Sequence, residues 1–291
     1  MSSSGTNSQA GGNRGPFGEN TGVLGYDPVG WGGEVPESKA IDVIYITIPA
    51  HNEESTIGVL LWKIRNVMGE FGRDYEILVL DDASTDGTTE VLRRYRRSLP
   101  LRVFSSEERL GYSGALERLI REAIDRAPYP KRDAIVTLQG DFTEHPENLV
   151  PLVKTLEGGA DVVAGNLNEI ERGAPWPFRV ARWVAPRLLK SSLEACPVSD
   201  PFSGFRIYRV IVLKKALRDL GEAPLIKMRG WAGNVELLDL AVHHARRVEE
   251  ISLGLRYDIR TRKSRFRTLP TLRELNRIRG KVDWIPEKDV A

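Results

Sequence analysis

Two hydrophobic periods alternate along the first half of the chain. Val43-Ile44-Tyr45-Ile46-Thr47-Ile48 is a continuous, mostly β-branched run closed by Pro49, the pattern of a strand buried on both faces. Ile57, Leu60, Leu61, Ile64 and Val67 then recur at helical spacing within 53–68. The same reasoning predicts strands over 75–80, 101–105, 134–138 and 160–164, with helices over 88–97, 113–127 and 146–156 between them. Strands and helices in strict alternation, joined by short connections, predict an α/β fold. It should be Rossmann-like and doubly wound, with a mostly parallel sheet and helices on both faces.

Beyond Gly165 the pattern is less regular. Residues 204–220 read as a strand running into a helix, and 234–244 as a helix. Trp176, Phe178, Val180 and Trp183 stand among Arg179, Arg182 and Arg187, a mixture that fits an interfacial segment or core packing equally. Pro177 and Pro186 are expected to divide this stretch into two short pieces. Residues 1–40 are rich in Gly, Ser and Asn and bury too little apolar surface to offset their ordering entropy, so they read as a flexible tail. One domain over 41–270 and a basic C-terminal tail over 271–291 complete the division.

Composition narrows the field. Of 291 residues 41% are hydrophobic, enough for a full core, and a net charge of +2 gives no reason to expect a nucleic-acid partner. Cys196 is the single cysteine, which excludes an intramolecular disulfide and a multi-cysteine zinc site. No apolar run approaches the ~20 residues of a spanning helix. The first residues lack the basic flank and apolar core of a secretory signal. Cytoplasmic placement is expected, with peripheral contact at the cytoplasmic membrane face.

Three predicted strands end in polar clusters: Pro49-Ala50-His51-Asn52-Glu53, Asp81-Asp82-Ala83-Ser84 and Gln139-Gly140-Asp141. In open α/β sheets ligands bind beyond the carboxyl ends of the strands, so these clusters should converge on one crevice. Neither GxGxxG after the first strand nor GxxxxGK[ST] is present, which leaves a dinucleotide fold and a P-loop unsupported. Acidic residues in such a place suit hydrogen bonds to base or ribose, or a divalent cation that neutralises phosphates. Asp81 and Asp82 also suit a turn, with Ser84 or Asp86 capping the helix that follows.

"IPAHNEESTI" (48–57), "EILVLDDASTDGT" (76–88), "GDFTEHPE" (140–147), "ADVVAGN" (160–166) and "DPFSGFRIYR" (200–209) occur in one order. Together they resemble the family 2 glycosyltransferases of GT-A fold, and among these most of all the dolichyl- and polyprenyl-phosphate mannosyl- or glucosyltransferases. The resemblance implies inverting transfer of a hexosyl group from a GDP- or UDP-sugar to a polyprenyl phosphate. It places Pro49, Ala50, His51, Glu53, Leu80, Asp81, Asp82, Gln139 and Gly140 around the nucleotide sugar. Ser203 and Arg206 would border the acceptor, and Arg260, Lys263 and Ser264 would meet the diphosphate. Asp141, Asp200 and Glu236 are the catalytic candidates.

The family's Asp-x-Asp is here Gln139-Gly140-Asp141, followed by Thr143 where the family has Gln. Asp141, Gln139 and Thr143 are thus the expected ligands of Mg²⁺ or Mn²⁺. One carboxylate is sufficient when substrate phosphates and water complete the shell. Gln139→Asp is expected to preserve activity or tighten Mn²⁺ use. Leu167 stands where the family carries an arginine. Two other readings remain open. One is transfer to a soluble hydroxyl acceptor, with Glu236 or Asp200 as the base that an attacking hydroxyl requires. The other is nucleotide-sugar binding without turnover.

Overall fold

The computed structural model describes residues 41–166, 176–253 and 268–282. Seven strands form one sheet: β1 (Ile44–Ala50), β2 (Tyr75–Asp82), β3 (Leu101–Ser106), β4 (Ala134–Thr137), β5 (Val162–Asn166), β6 (Arg206–Arg209) and β7 (Val248–Ser252). Their order is β3-β2-β1-β4-β6-β5-β7. β1 pairs in parallel with β2 and β4, β2 with β3, and β5 with β7. β6 runs antiparallel between β4 and β5.

Eight helices accompany the sheet among the described residues: α1 (Ile57–Phe71), α2 (Thr88–Tyr95), α3 (Gly111–Arg126), α4 (Leu149–Glu157), α5 (Trp176–Leu188), α6 (Val210–Leu220), α7 (Gly230–Val242) and α8 (Thr268–Ile278). The period of two along β1 allots its side chains to two cores. Ile44, Ile46 and Ile48 join the buried residues of α1 and α4, while Tyr45 joins those of α3 and of α5 through α8. Residues on both faces are buried because helices cover both, as the doubly wound reading requires. Elements over 41–166 fall where the hydrophobic periods put them. A 3-10 turn at 146–148 precedes α4.

The second half needs three corrections. α5 is continuous, not two pieces: Pro177 occupies its first turn, where no N–H bond is required, and Pro186 its last. Phe178, Ala181 and Ala185 face the core, while Trp176 and Trp183 are exposed. The segment 268–278 is not tail but helix α8, whose Leu275 and Ile278 are buried in the core. The domain therefore extends past 270, and the expected tail at 271–291 begins inside a packed helix. Finally, Val248-Glu249-Glu250-Ile251-Ser252 forms a seventh strand.

That far edge is fastened by charge. Asp161, just before β5, receives Arg246 Nε and Nη2 at 3.0 Å each and Arg246 N at 2.9 Å. Burial pushes the Asp161 carboxyl up, but the bonds and charge of Arg246, joined by Arg209, prevail and hold it below the usual carboxylate value. Arg209 in turn donates to the carbonyl oxygens of Ala160, Lys131 and Leu156.

Candidate active site

The C-terminal ends of β1, β2 and β4 lie side by side, with Ala50 opposite Asp81 and Thr47 opposite Thr137. Just beyond each end stands a residue in the left-handed backbone region: Asn52 (φ 51°), Ala83 (φ 51°) and Phe142 (φ 63°). Among the described residues these are the three non-glycine residues with positive φ. Such a conformation costs on the order of 1 kcal/mol or more for a residue with a side chain, so surrounding bonds must enforce it.

For the first two turns those bonds are mutual. Asn52 N donates to Ser84 Oγ (2.9 Å), Thr85 N to Asn52 Oδ1 (2.7 Å), and Glu53 N to Thr88 Oγ1 (2.8 Å). His51 Nδ1 lies 2.7 Å from the Asp82 carbonyl oxygen. Asp81 accepts from Ser84 N and Thr89 Oγ1. Asp82 accepts from Leu110 N (2.6 Å), Gly111 N (2.9 Å) and Ser106 Oγ (3.2 Å), so it closes the N-terminus of α3. Both carboxylates are buried. Backbone N–H and hydroxyl groups engage both, so Asp81 and Asp82 brace this edge at the place expected for base and ribose. Leu80, also expected there, has its side chain fully buried in the core with α3. Pro49, His51 and Gln139 are only half-buried. Glu53 is buried, with Oε2 accepting from Thr56 Oγ1, which also reaches the Gly140 carbonyl oxygen (2.9 and 3.1 Å). A Cβ at Gly140 would stand 3.2 Å from the Pro49 carbonyl oxygen, so a small residue lets these two turns approach.

The third turn is built differently. Asp141 Oδ1 accepts from Thr143 N at 3.1 Å and from the Thr143 hydroxyl, which orders the loop around Phe142. Gln139 N donates to Glu144 Oε2 (2.8 Å) and Gln139 Nε2 to Glu144 Oε1 (3.1 Å). Glu144 is 1% exposed. Burial pushes its carboxyl up to about 8, with Asp141 adding to the rise, against the bonds from Gln139 and the Arg206 guanidinium. Glu144 was not among the expected site residues. Its signal was a carboxylate five positions after Gln139, where the following Pro146 draws attention to a helix start instead.

The antiparallel strand β6 brings a fourth loop to this edge. Thr137 pairs with Arg206, and its hydroxyl donates to the Gly204 carbonyl oxygen. A Cβ at Gly204 would lie 2.7 Å from the Tyr112 hydroxyl, so the loop rests directly on the start of α3. Arg206, expected to border the acceptor, is a buried clamp in this loop. It is 1% exposed and donates to the carbonyl oxygens of Asn234 (2.5 Å) and Pro201 (2.6 Å). Ser203 is buried, its hydroxyl accepting from Phe205 N. Asp200 forms a two-bond ion pair with Arg182 (2.7 and 2.8 Å) and accepts from Phe202 N. Glu236 on α7 accepts Lys227 N and Met228 N, both at Oε2 and 2.8 Å, and Met228 is tied to α3 through Ser113. Arg260, Lys263, Ser264 and Leu167 lie outside the described residues.

A mixed sheet with three parallel strand ends opening on one acidic turn is an arrangement that other proteins share. The family model of "Glycosyl transferase family 2" matches residues 45–217, more than half the chain. The chain belongs to this family. Its fold is GT-A-like, as expected.

Among curated relatives, the undecaprenyl-phosphate 4-deoxy-4-formamido-L-arabinose transferase of Edwardsiella ictaluri is 25% identical over 209 residues, 72% of this chain and 62% of its own. The dolichol-phosphate mannosyltransferase of Pyrococcus furiosus is 27% identical over 179 residues, 59% and 47% of the two chains. The chain thus spans about half to two thirds of the length of such relatives.

Among solved structures, glucosyl-3-phosphoglycerate synthase from Mycobacterium tuberculosis in complex with Mn²⁺, uridine diphosphate and phosphoglyceric acid matches with a TM-score of 0.55 and 25% identity. The match covers 81% of this chain and 75% of that one. The same enzyme with phosphoglyceric acid alone matches with a TM-score of 0.57 at 24% identity, covering 87% and 82%. This fuller likeness, to an enzyme holding a small phosphorylated acid, overturns the expected subgroup of polyprenyl-phosphate transferases. The expected lipid-phosphate acceptor falls with it. Among the described residues no helix is long and apolar enough to cross a membrane.

Proposed function

We propose that the protein transfers a hexosyl group from a uridine-diphosphate sugar to a hydroxyl of a small soluble acceptor that carries anionic groups. The observation that carries this reading is the likeness, across most of both chains, to a synthase that binds UDP and phosphoglyceric acid. The crevice is compatible with it, since Pro49, His51 and Gln139 are half-buried at the ends of adjoining strands.

Asp141 is the proposed metal-holding carboxylate, with Thr143 and the Gln139 amide oxygen beside it in sequence. Among the described residues no group of three or more His, Cys, Asp or Glu could hold a metal by itself. One carboxylate still fits Mg²⁺ or Mn²⁺ when a diphosphate and water supply the other ligands. A divalent cation bound there would neutralise charge on the departing diphosphate. Of the two carboxylates proposed as base, Glu236 is the less committed to a cation. Both bonds it accepts fall on Oε2, whereas Asp200 has both oxygens on Arg182.

The test is UDP release by purified protein with UDP-glucose, Mn²⁺ and a panel of soluble phosphorylated hydroxy acids, without lipid. Turnover is expected with at least one acceptor and is expected to be lost in Glu236→Gln. Absence of UDP release across donors and acceptors would sink the proposal.

A further inference from the structure

The turn after β4 holds two features that the family pattern does not explain. Gln139 replaces a carboxylate, and a buried carboxylate, Glu144, stands directly against it. The two are joined twice, through the backbone N–H and through the side-chain amide. Both Glu144 oxygens therefore accept from one residue. An aspartate at 139 would retain the backbone bond but replace the amide donor with an acceptor. Two carboxyl groups would then face each other where Glu144 is 1% exposed, and the N–H that joins the two side chains would be gone. A buried acceptor that loses its donor is left with an uncompensated desolvation cost.

We propose that Gln139 and Glu144 act as one unit, in which Glu144 is a positioning residue that commits the Gln139 amide nitrogen to itself and leaves the amide carbonyl oxygen as the neutral partner of Asp141 at the metal-diphosphate site. The carboxylate missing from position 139 has, in effect, moved behind the crevice, where it orders the loop without adding charge to the front. This rests on the metal-diphosphate reading of Asp141. It replaces the expectation that Gln139→Asp is harmless: aspartate is tolerated at 139 only when residue 144 supplies the donor that Gln139 supplies now.

The experiment is calorimetry of UDP binding across a Mn²⁺ titration, with thermal unfolding of every variant. Gln139→Asp alone is expected to weaken Mn²⁺-dependent UDP binding at least tenfold, although it adds a negative charge near the cation. The double variant Gln139→Asp with Glu144→Gln exchanges the two groups and is expected to return to within about threefold of the parent, equivalent to ~0.7 kcal/mol. If Gln139→Asp does not fold, recovery of folding and binding in the double variant supports the pairing just as well. A double variant no better than Gln139→Asp overturns it, as does a Gln139→Asp protein that binds UDP with Mn²⁺ as tightly as the parent. Asp141→Ala separates the layers. If it leaves the Mn²⁺ effect intact, the metal-site reading fails. If it removes the effect while the exchange rescues nothing, only the pairing fails.

Discussion

The turns after β2 and β4 contain the same ingredients: a carboxylate or two, a hydroxyl residue, and one residue forced into left-handed backbone. They use them in opposite ways. After β2, Asp81 and Asp82 are saturated by backbone N–H groups and hydroxyls, and those bonds fasten the start of α3 and the neighbouring turn. After β4, Asp141 is bonded by its near neighbour Thr143, and the second carboxylate, Glu144, is bonded by a side-chain amide as well as a backbone N–H. A carboxylate that holds backbone donors from a distant helix is fixed architecture. One bonded by a residue two positions away can exchange that bond for a ligand without unravelling a helix. Acid residues at strand ends therefore do not by themselves mark chemistry; the reach of their partners separates the two cases.

The largest effect should come from the β4 turn. Asp141→Ala is expected to lower transfer by at least about 100-fold, the scale seen when a charge-stabilising group is removed, while urea unfolding stays near the parent's. Turnover at the parent's rate would remove the distinction between the turns. Next comes Asp82→Ala, which should invert the pattern. Losing a buried carboxylate that accepts two backbone N–H bonds is expected to cost about 2–3 kcal/mol of stability, read from urea denaturation. Transfer by the fraction that remains folded should persist.

The smallest effect lies at the far edge of the sheet and serves as a control for both turns. Asp161 has its folded pKa held below the unfolded value, so its contribution is present above the ordinary carboxylate pKa and is lost as pH falls through the folded one. Asp161→Asn should flatten the acid side of a stability-versus-pH curve and leave the neutral side nearly level. A curve with the parent's acid slope would place that slope elsewhere.

Much of the fold over 41–166 was legible because β1, β2 and β4 are apolar on both faces and α1, α3 and α4 each carry a clean stripe. β7 was not, because a strand carrying Glu249 and Glu250 has no apolar run to announce it, and its pairing with β5 decides its structure. α8 reads as tail although Leu269, Leu272, Leu275 and Ile278 recur every three positions there; Arg273, Arg277 and Arg279 draw it into the basic end of the chain, and only its packing shows that Leu275 and Ile278 are core. Within the site, the three converging clusters followed from topology alone. The commitments of Asp82, Arg206 and Asp200 did not, because each depends on a partner 18 to 29 positions away. Glu144 was hidden for the opposite reason. Its partner is only five residues off, and a local bond between two polar residues in a loop looks like solvent-exposed filler until its burial is known.

The reversal of direction at β6 has a consequence for the order in which the molecule is made. β1, β2 and β4 are all synthesised once residue 137 is added, yet the loop that floors the crevice is joined to them by a bond spanning 67 positions, from Thr137 to Gly204. A nascent chain that has not reached Arg206 carries every acidic residue of the three turns and still lacks that floor. The crevice is thus finished late in synthesis, when the loop entering an antiparallel strand arrives beside the loop leaving a parallel one.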